Sequence, residues 1–326
     1  MASAIIETHE LTKEYGPLTA VDALTLSIGR GEIFGLLGPN GAGKTTTISM
    51  LVTLLQPTRG SASVNGYDIL RQPREVRESI GIVFQDPSLD TALTAWENLE
   101  LHGRLYGLTR ETRKARSEEL LQVVDLTDRK HHLVKTFSGG MKRRLELARG
   151  LMHNPAVLFL DEPTLGLDPQ TRAHTWNYIR RMAKENQTTI VMTTHYMEEA
   201  DMMCERVGII DHGKIIALDT PASLKQGLGG DLVRLRAPSF DPKRLDGLGY
   251  VRKIEEEGGF VNLTVEHAER NLPEILSRVG PIESVEVRVP TLNDVFLEYT
   301  GHSMREEEGS GEGWLDSVMR MNQGGR

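Results

Sequence analysis

The chain has 326 residues, 39% hydrophobic and 26% charged, the proportions of an ordinary globular protein with room for one large domain and a small one. Its 46 acidic against 38 basic residues leave a formal charge of −8, which argues against nucleic acid as the main ligand. A lone cysteine, Cys204, excludes an internal disulfide and a cysteine zinc cluster and reads as a buried structural thiol. No run approaches the roughly 18 apolar residues of a membrane span, and MASAIIETHE at the start lacks a signal-peptide pattern, so a cytosolic protein is expected, held at any membrane by a protein partner.

Residues Ala4 to Thr12 and Ala23 to Ile28 alternate as strands, broken by Tyr15-Gly16-Pro17 and Gly29-Arg30-Gly31, and predict an antiparallel layer. Tyr15 reads either as a packed tyrosine or as a ring able to stack on adenine. The apolar run Ile33 to Leu37 then leads into GPNGAGKTT, Gly38 to Thr46, and a helix-like stretch to Val52. This strand, glycine-rich loop and helix start has P-loop spacing, in which small residues let consecutive backbone N–H groups turn inward around a triphosphate. Gly38, Asn40, Gly41, Gly43, Lys44, Thr45 and Thr46 are its candidate phosphate-binding residues. Lys44 would reach the β- and γ-phosphates, Thr45 would offer its hydroxyl to Mg²⁺, and the positive end of the helix would face the same anion.

Ser61 to Val64 with Tyr67 to Ile69 predicts a short edge strand, and Ile80 to Phe84 a strand buried on both faces. Ligands of parallel sheets gather at the carboxyl ends of strands, which places Gln85 to meet Mg²⁺ or an attacking water, although a lone glutamine there also reads as loop. From Thr94 to about Val124 the pattern is helical in two segments, an insertion in the α/β core. It closes on FSGGMKRR, where Ser138 can cap a helix running to about Met152 and Gly139 and Gly140 leave its first turn bare for an anion, structural capping being the plainer reading.

Ala156 to Leu160 is another buried-strand run, followed at once by Asp161-Glu162-Pro163-Thr164. Adjacent carboxylates at an apolar strand end repel and are desolvated, a cost that a cation or a reacting water explains. With a P-loop in the chain, Asp161 would hold Mg²⁺ through water and Glu162 would act as general base. Asp168 precedes a helix from Pro169 to about Asn186 and reads by itself as a cap. Thr189 to Thr193 is one more strand, delivering His195 to the edge that carries Gln85 and Glu162. Met197 to Glu205 predicts a helix, and Arg206 to Leu218 a hairpin turning at Asp211-His212-Gly213.

GPNGAGKTT, the glutamine after VF, FSGGM, VLFLDEPT, LGLD and TTH stand in the order and approximate spacing of an ABC-type ATP-binding cassette, which the chain resembles over about Ala4 to Leu218. The resemblance implies an α/β fold: a P-loop NTPase (RecA-like) core with an antiparallel β layer and a helical subdomain at about 91–152, the cassette occupying 1–222. It implies ATP and Mg²⁺, and a head-to-tail cassette homodimer with ATP between one chain's P-loop and the other's Ser138-Gly139-Gly140. By the same resemblance Tyr15 stacks on adenine, Asp168 crosses the dimer contact and His195 supports the γ-phosphate. Phe137 and Met141 depart from the leucine and glutamine of the commonest signature.

Those departures, the phrase MEEAD and an ending like TLNDVFLEYTG resemble the daunorubicin-resistance-type exporter cassettes. The reading that follows is an ATP-hydrolysing subunit at the cytoplasmic face of the membrane, powering drug or lipophile efflux through a separately encoded integral membrane permease. Export of a glycolipid, polysaccharide or cation is the alternative, and a soluble non-transport ABC ATPase a more distant one. The extension at 223–302 is expected to be a small α+β domain: strands at Leu232 to Leu235, Val251 to Ile254, Phe260 to Val265 and Val285 to Val289, helices at Leu272 to Val279 and Leu292 to Thr300. Thr291 with Asp294 predicts a capping box, and Leu292, Val295, Phe296 and Tyr299 an apolar stripe. Residues 303–326 are expected to be a disordered tail. Gln85 to Ala95 is the expected permease contact.

Overall fold

The computed structural model describes residues 4–84, 88–164, 167, 169–238 and 240–301. Among the expected sites, Gln85 and Asp168 lie outside these residues, as does the tail. The chain divides into two compact units, the first reaching Leu218 and the second beginning at Asp219.

The first unit opens with a long hairpin, β1 (Ala4–Tyr15) and β2 (Leu18–Gly29). Each strand runs well past the expected limits. The pairing survives through register shifts, and Glu10 and Ala23 take positive φ where the ladder is irregular. Next come β3 (Ile33–Leu37), α1 (Lys44–Leu51), β4 (Arg59–Val64), β5 (Tyr67–Asp68), α2 (Pro73–Ser79) and β6 (Ile80–Val83). The helical insertion holds α3 (Ala95–Leu105) and α4 (Arg110–Val123), parted at Gly107 with φ 71°, and then α5 (Gly139–Gly150). The unit continues with β7 (Val157–Asp161), α6 (Pro169–Asn186), β8 (Thr189–Thr194), α7 (Met197–Met203), β9 (Arg206–Asp211) and β10 (Lys214–Asp219).

Two sheets result. The antiparallel one runs β2-β1-β4-β5, and the central one β10-β9-β3-β8-β7-β6, with β9, β3, β8, β7 and β6 parallel. Every residue of β3, β7 and β8 is buried, which is why these strands read as continuous apolar runs rather than alternating ones. One core joins Ile6, Leu11 and Leu26 of the antiparallel layer to Ile48 and Met50 of α1 and to Phe34, Phe159 and Val191 of the central sheet. The P-loop helix is thus clamped between layers. Just past the end of α7, the buried Cys204 thiol would lie 2.7 Å from a Cβ at Gly35, so the strand leading to the P-loop needs glycine for this approach. Burial raises that thiol's pKa, as expected of an inert structural cysteine.

In the second unit, α8 (Pro221–Gln226) is followed by β11 (Asp231–Arg236), β12 (Val251–Glu257), β13 (Phe260–Val265), α9 (Ala268–Val279), β14 (Ser284–Arg288) and α10 (Leu292–Thr300). The strands form an antiparallel sheet in the order β12-β13-β11-β14. Helix α9 begins a turn before the expected Leu272. Its first N–H at Ala268 is capped by Asp231 Oδ2 at 2.9 Å, a carboxylate 37 residues away that no local pattern displays. The capping box of α10 is present as expected: Thr291 Oγ1 accepts from Asp294 N, and the Asp294 carboxylate accepts from Thr291 N at 2.8 Å. Leu292, Val295 and Phe296 of the stripe are buried, while Tyr299 is exposed.

Candidate functional site

The P-loop is shaped by what it cannot accommodate. A Cβ at Gly38 would meet Ile210 O at 2.2 Å, and Gly43, at φ 105°, caps α1 where a Cβ would meet Ala20 O at 2.4 Å. Between them Asn40 and Gly41 are exposed, and Thr45 and Thr46 are half-buried. Lys44 is buried, and its ammonium donates to the loop's own carbonyls, Gly38 O at 2.6 Å and Pro39 O at 2.8 Å. Burial lowers its pKa against the pull of Glu162 and Asp161. A cradle open at Asn40 and Gly41, with a buried cation at its base, fits a polyphosphate.

The ends of β7 and β8 bring the acidic residues to this cradle. Asp161 is buried, its Oδ2 accepting from Thr45 Oγ1 at 3.3 Å and its Oδ1 from Thr193 Oγ1 at 2.5 Å. Burial raises its pKa, opposed by those hydroxyls and by Lys44. Thr193 Oγ1 in turn accepts from Glu162 N at 3.1 Å, so one hydroxyl links both carboxylate residues to β8. Glu162 sits at φ 47°, the left-handed region that costs a non-glycine residue of order 1 kcal/mol or more and clusters at functional sites. Its Oε1 lies 3.0 Å from His195 Nδ1. Burial pushes the Glu162 pKa up, but the His195 contact, Lys44 and Arg143 outweigh it and hold the carboxyl below its ordinary range.

A hydroxyl and a carboxylate oxygen side by side are the hard donors that Mg²⁺ takes. Among the described residues no group of three or more His, Cys, Asp or Glu converges. Lys44, Thr45, Asp161, Glu162 and His195 thus meet at one sheet edge. Ser138 and Gly139 are exposed at the start of α5, where Ser138 Oγ accepts from Met141 N at 3.3 Å, and Gly140 packs on Thr171 of α6. Tyr15 ends β1 half-buried, its ring under the Lys13 ammonium at 5.1 Å.

Sequence reading missed Arg143. Its guanidinium is buried and donates from Nε to Pro163 O at 2.8 Å, from Nη1 to Phe84 O, and from Nη2 to Asp161 O at 3.0 Å and Glu162 O at 2.9 Å. The helix that starts at Ser138 therefore grips the backbone of both the β6 and β7 termini. Glu146, also buried on α5, lies 3.7 Å from Arg143 and accepts from Ser88 N at 2.5 Å. The signal present was the spacing of Arg143 from Leu147 and Gly150 on one helix face, and arginine is seldom buried.

Residues 21–165 match the family described as ABC transporter, and residues 220–300 match the C-terminal domain of ATP-binding proteins of the DrrA1-3 type. The linearmycin resistance ATP-binding protein of Bacillus subtilis is 38% identical, with 93% of this chain and all of that protein covered. The daunorubicin resistance ATP-binding protein DrrA2 of Streptomyces coeruleorubidus is 40% identical, with coverage of 93% and 97%. The chain belongs to the ABC transporter ATP-binding family.

A third relative of this ABC subunit, the Nod factor export ATP-binding protein I of Burkholderia pseudomallei, is 39% identical, with coverage of 93% and 99%. Among solved structures, cbiO1 of Clostridium perfringens, part of an ABC transporter complex, superposes with a TM-score of 0.64 at 29% identity, covering 68% of this chain and 90% of that one. A dimeric ATP-binding cassette in a post-hydrolysis state with ADP and Pi gives 0.61 at 28%, covering 66% and 98%. The core is the expected P-loop NTPase cassette, and the chain is an ABC ATPase subunit that binds ATP. No helix among the described residues is long and apolar enough to cross a membrane.

Proposed function

We propose that this chain hydrolyses ATP to drive efflux of a lipophilic drug through a separately encoded membrane subunit, bound at the cytoplasmic face of the membrane. The observation that carries the reading is the Glu162 and His195 pair, 3.0 Å apart, beside a P-loop whose Thr45 touches Asp161. Gly38 to Thr46 hold the phosphates by backbone N–H groups, and Lys44 leaves its loop carbonyls to meet them. Thr45, Asp161 and Gln85 would hold Mg²⁺, which when bound would supply positive charge against the transferred phosphoryl. Glu162, kept ionised by His195, takes a proton from the attacking water, assistance worth about 10² to 10⁴ in rate. Tyr15 stacks on adenine.

Two cassettes pair head to tail, Ser138, Gly139 and Gly140 of one closing on the nucleotide of the other, with Asp168 at their contact. Exposure of Ser138 and Gly139 on a capped helix start supports this. The membrane subunit docks along residues 85–95. Asp90 in that stretch is held by the buried Asn98 of α3, which accepts from its N–H at 2.9 Å and donates to its carbonyl at 3.0 Å. The drug cargo rests on the resistance proteins that match 93% of the chain, and on the C-terminal domain of the DrrA1-3 type. Export of another cargo is the second reading, favoured by the equally similar Nod factor relative.

Co-expression with its membrane subunit in a drug-sensitive host tests the cargo. Daunorubicin accumulation should fall with the intact chain and not with Glu162→Gln. Unchanged accumulation, with ATP hydrolysis intact, would transfer the assignment to another cargo.

A further inference from the structure

The two edges of the C-terminal sheet differ in kind. One edge, β12, carries Arg252, Lys253, Glu255 and Glu256, all exposed, the charged side chains that keep an edge strand from pairing with a neighbour. The other edge, β14, reads Ser284-Val285-Glu286-Val287-Arg288 and is exposed along its whole length. Val285 stands opposite Leu235 and Val287 opposite Val233, so both valines share the sheet face whose buried residues pack under α9. Leu235 and Val233 are buried there, but Val285 and Val287 remain 42% and 43% exposed, and Val289 is 69% exposed. An open ladder edge and an apolar strip therefore coincide on one strand.

We propose that β14 pairs with β14 of a second copy of this chain, antiparallel about a two-fold axis through Val287. The sequence is self-complementary in that register alone among its near neighbours. Centred on Val287, Glu286 of each copy faces Arg288 of the other, Val287 faces Val287, and Val285 faces Val289. Centring one residue earlier sets Glu286 against Glu286, and one residue later sets Arg288 against Arg288, like charges directly opposite. The pairing extends each four-stranded sheet into one of eight strands. It brings the exposed valines of both copies together into a strip between the two α9 helices. Such a contact holds two chains together without nucleotide, independently of the cassettes.

The full chain serves for the test, in the absence of nucleotide and with Ser138→Arg added so that pairing through the signature helix is blocked. Sedimentation should give a dimer at micromolar concentration, and Glu286→Arg or Val287→Asp should convert it to monomer while ATP hydrolysis in the otherwise unaltered chain is retained. Cys204 is buried, so a thiol introduced at the surface reports alone. Val287→Cys should cross-link to itself with a short thiol reagent, and Val285→Cys should link to Val289→Cys in a mixture but poorly to itself. A nucleotide-free monomer, self-linking stronger at Val285→Cys than at Val287→Cys, or a Val287→Cys link only to the membrane subunit would each overturn the proposal.

Discussion

His195 Nδ1 lies 3.0 Å from Glu162 Oε1, so the polar residue delivered by β8 sets the carboxylate delivered by β7. Glu162→Gln should retain ATP binding and lose about two to four orders of magnitude in turnover. The histidine's part is visible in pH. A general base works deprotonated, so the rate falls as pH drops through its pKa. With His195 in place the Glu162 pKa is held low; His195→Ala removes the largest of the opposing contacts and leaves burial opposed by Lys44 and Arg143, so the pKa rises. The acid limb of kcat should then move to higher pH. An acid limb unchanged in His195→Ala would separate the two residues functionally.

Arg143 should matter to turnover more than to nucleotide affinity, because its donors go to main-chain carbonyls of Asp161, Glu162, Pro163 and Phe84 and not into the P-loop. Hydrogen bonds from a charged group contribute about 1.5 to 3 kcal/mol each where buried carbonyls would otherwise go unpaired. Arg143→Gln should lower kcat at least tenfold with ATP affinity nearly unchanged, and lower Tm as well. Arg143→Lys keeps the charge but lacks the planar fork, so it should restore little of the rate. A kcat rescued by lysine would show that charge alone is what the site needs.

Ser138→Arg places a bulky cation at an exposed helix start, where the Ser138 hydroxyl accepts from Met141 N of its own helix. The single chain should fold and bind ATP with ordinary affinity by calorimetry. Hydrolysis should be lost if, as proposed, the residue serves the site of the other cassette. Full activity in this variant would sink the shared-site arrangement.

The parallel core was legible because its strands are buried on both faces and end on polar residues, so Leu37, Leu160 and Thr194 each hand over to a chemical motif. Glu162, His195 and Lys44 came from that punctuation. Arg143 and Thr193 did not, because their partners are carbonyls and carboxylates contributed by other elements, and a side chain's long-range acceptor leaves no periodic trace. The early start of α9 was hidden for the same reason, its cap being Asp231 on β11. In α3 composition does not track burial: Leu99 is buried, whereas Leu101 and Leu105 are exposed and the polar Asn98, which holds Asp90, lies inside.

The helical insertion carries a stability switch in its histidines. His153 Nε2 donates to Ile80 O at 2.8 Å, its ring stacks on Tyr106 at 3.7 Å, and its buried Nδ1 has no hydrogen-bond partner among the described residues. Burial lowers its pKa to about 4, and burial with the charge of Arg149 lowers that of His102 to about 3. Both are neutral in the folded chain well below the roughly 6.5 at which they titrate when unfolded. Below that value the unfolded state binds more protons, so stability falls with pH by about 1.4 kcal/mol per unit for each histidine. The loss begins near pH 6.5 and stops only near the folded values. His102→Gln with His153→Gln should therefore flatten the dependence of urea-unfolding stability on pH between 6.5 and 4.5, whatever the double variant's stability at pH 7. Parallel slopes for the two proteins would mean that these histidines take up their protons without unfolding the chain.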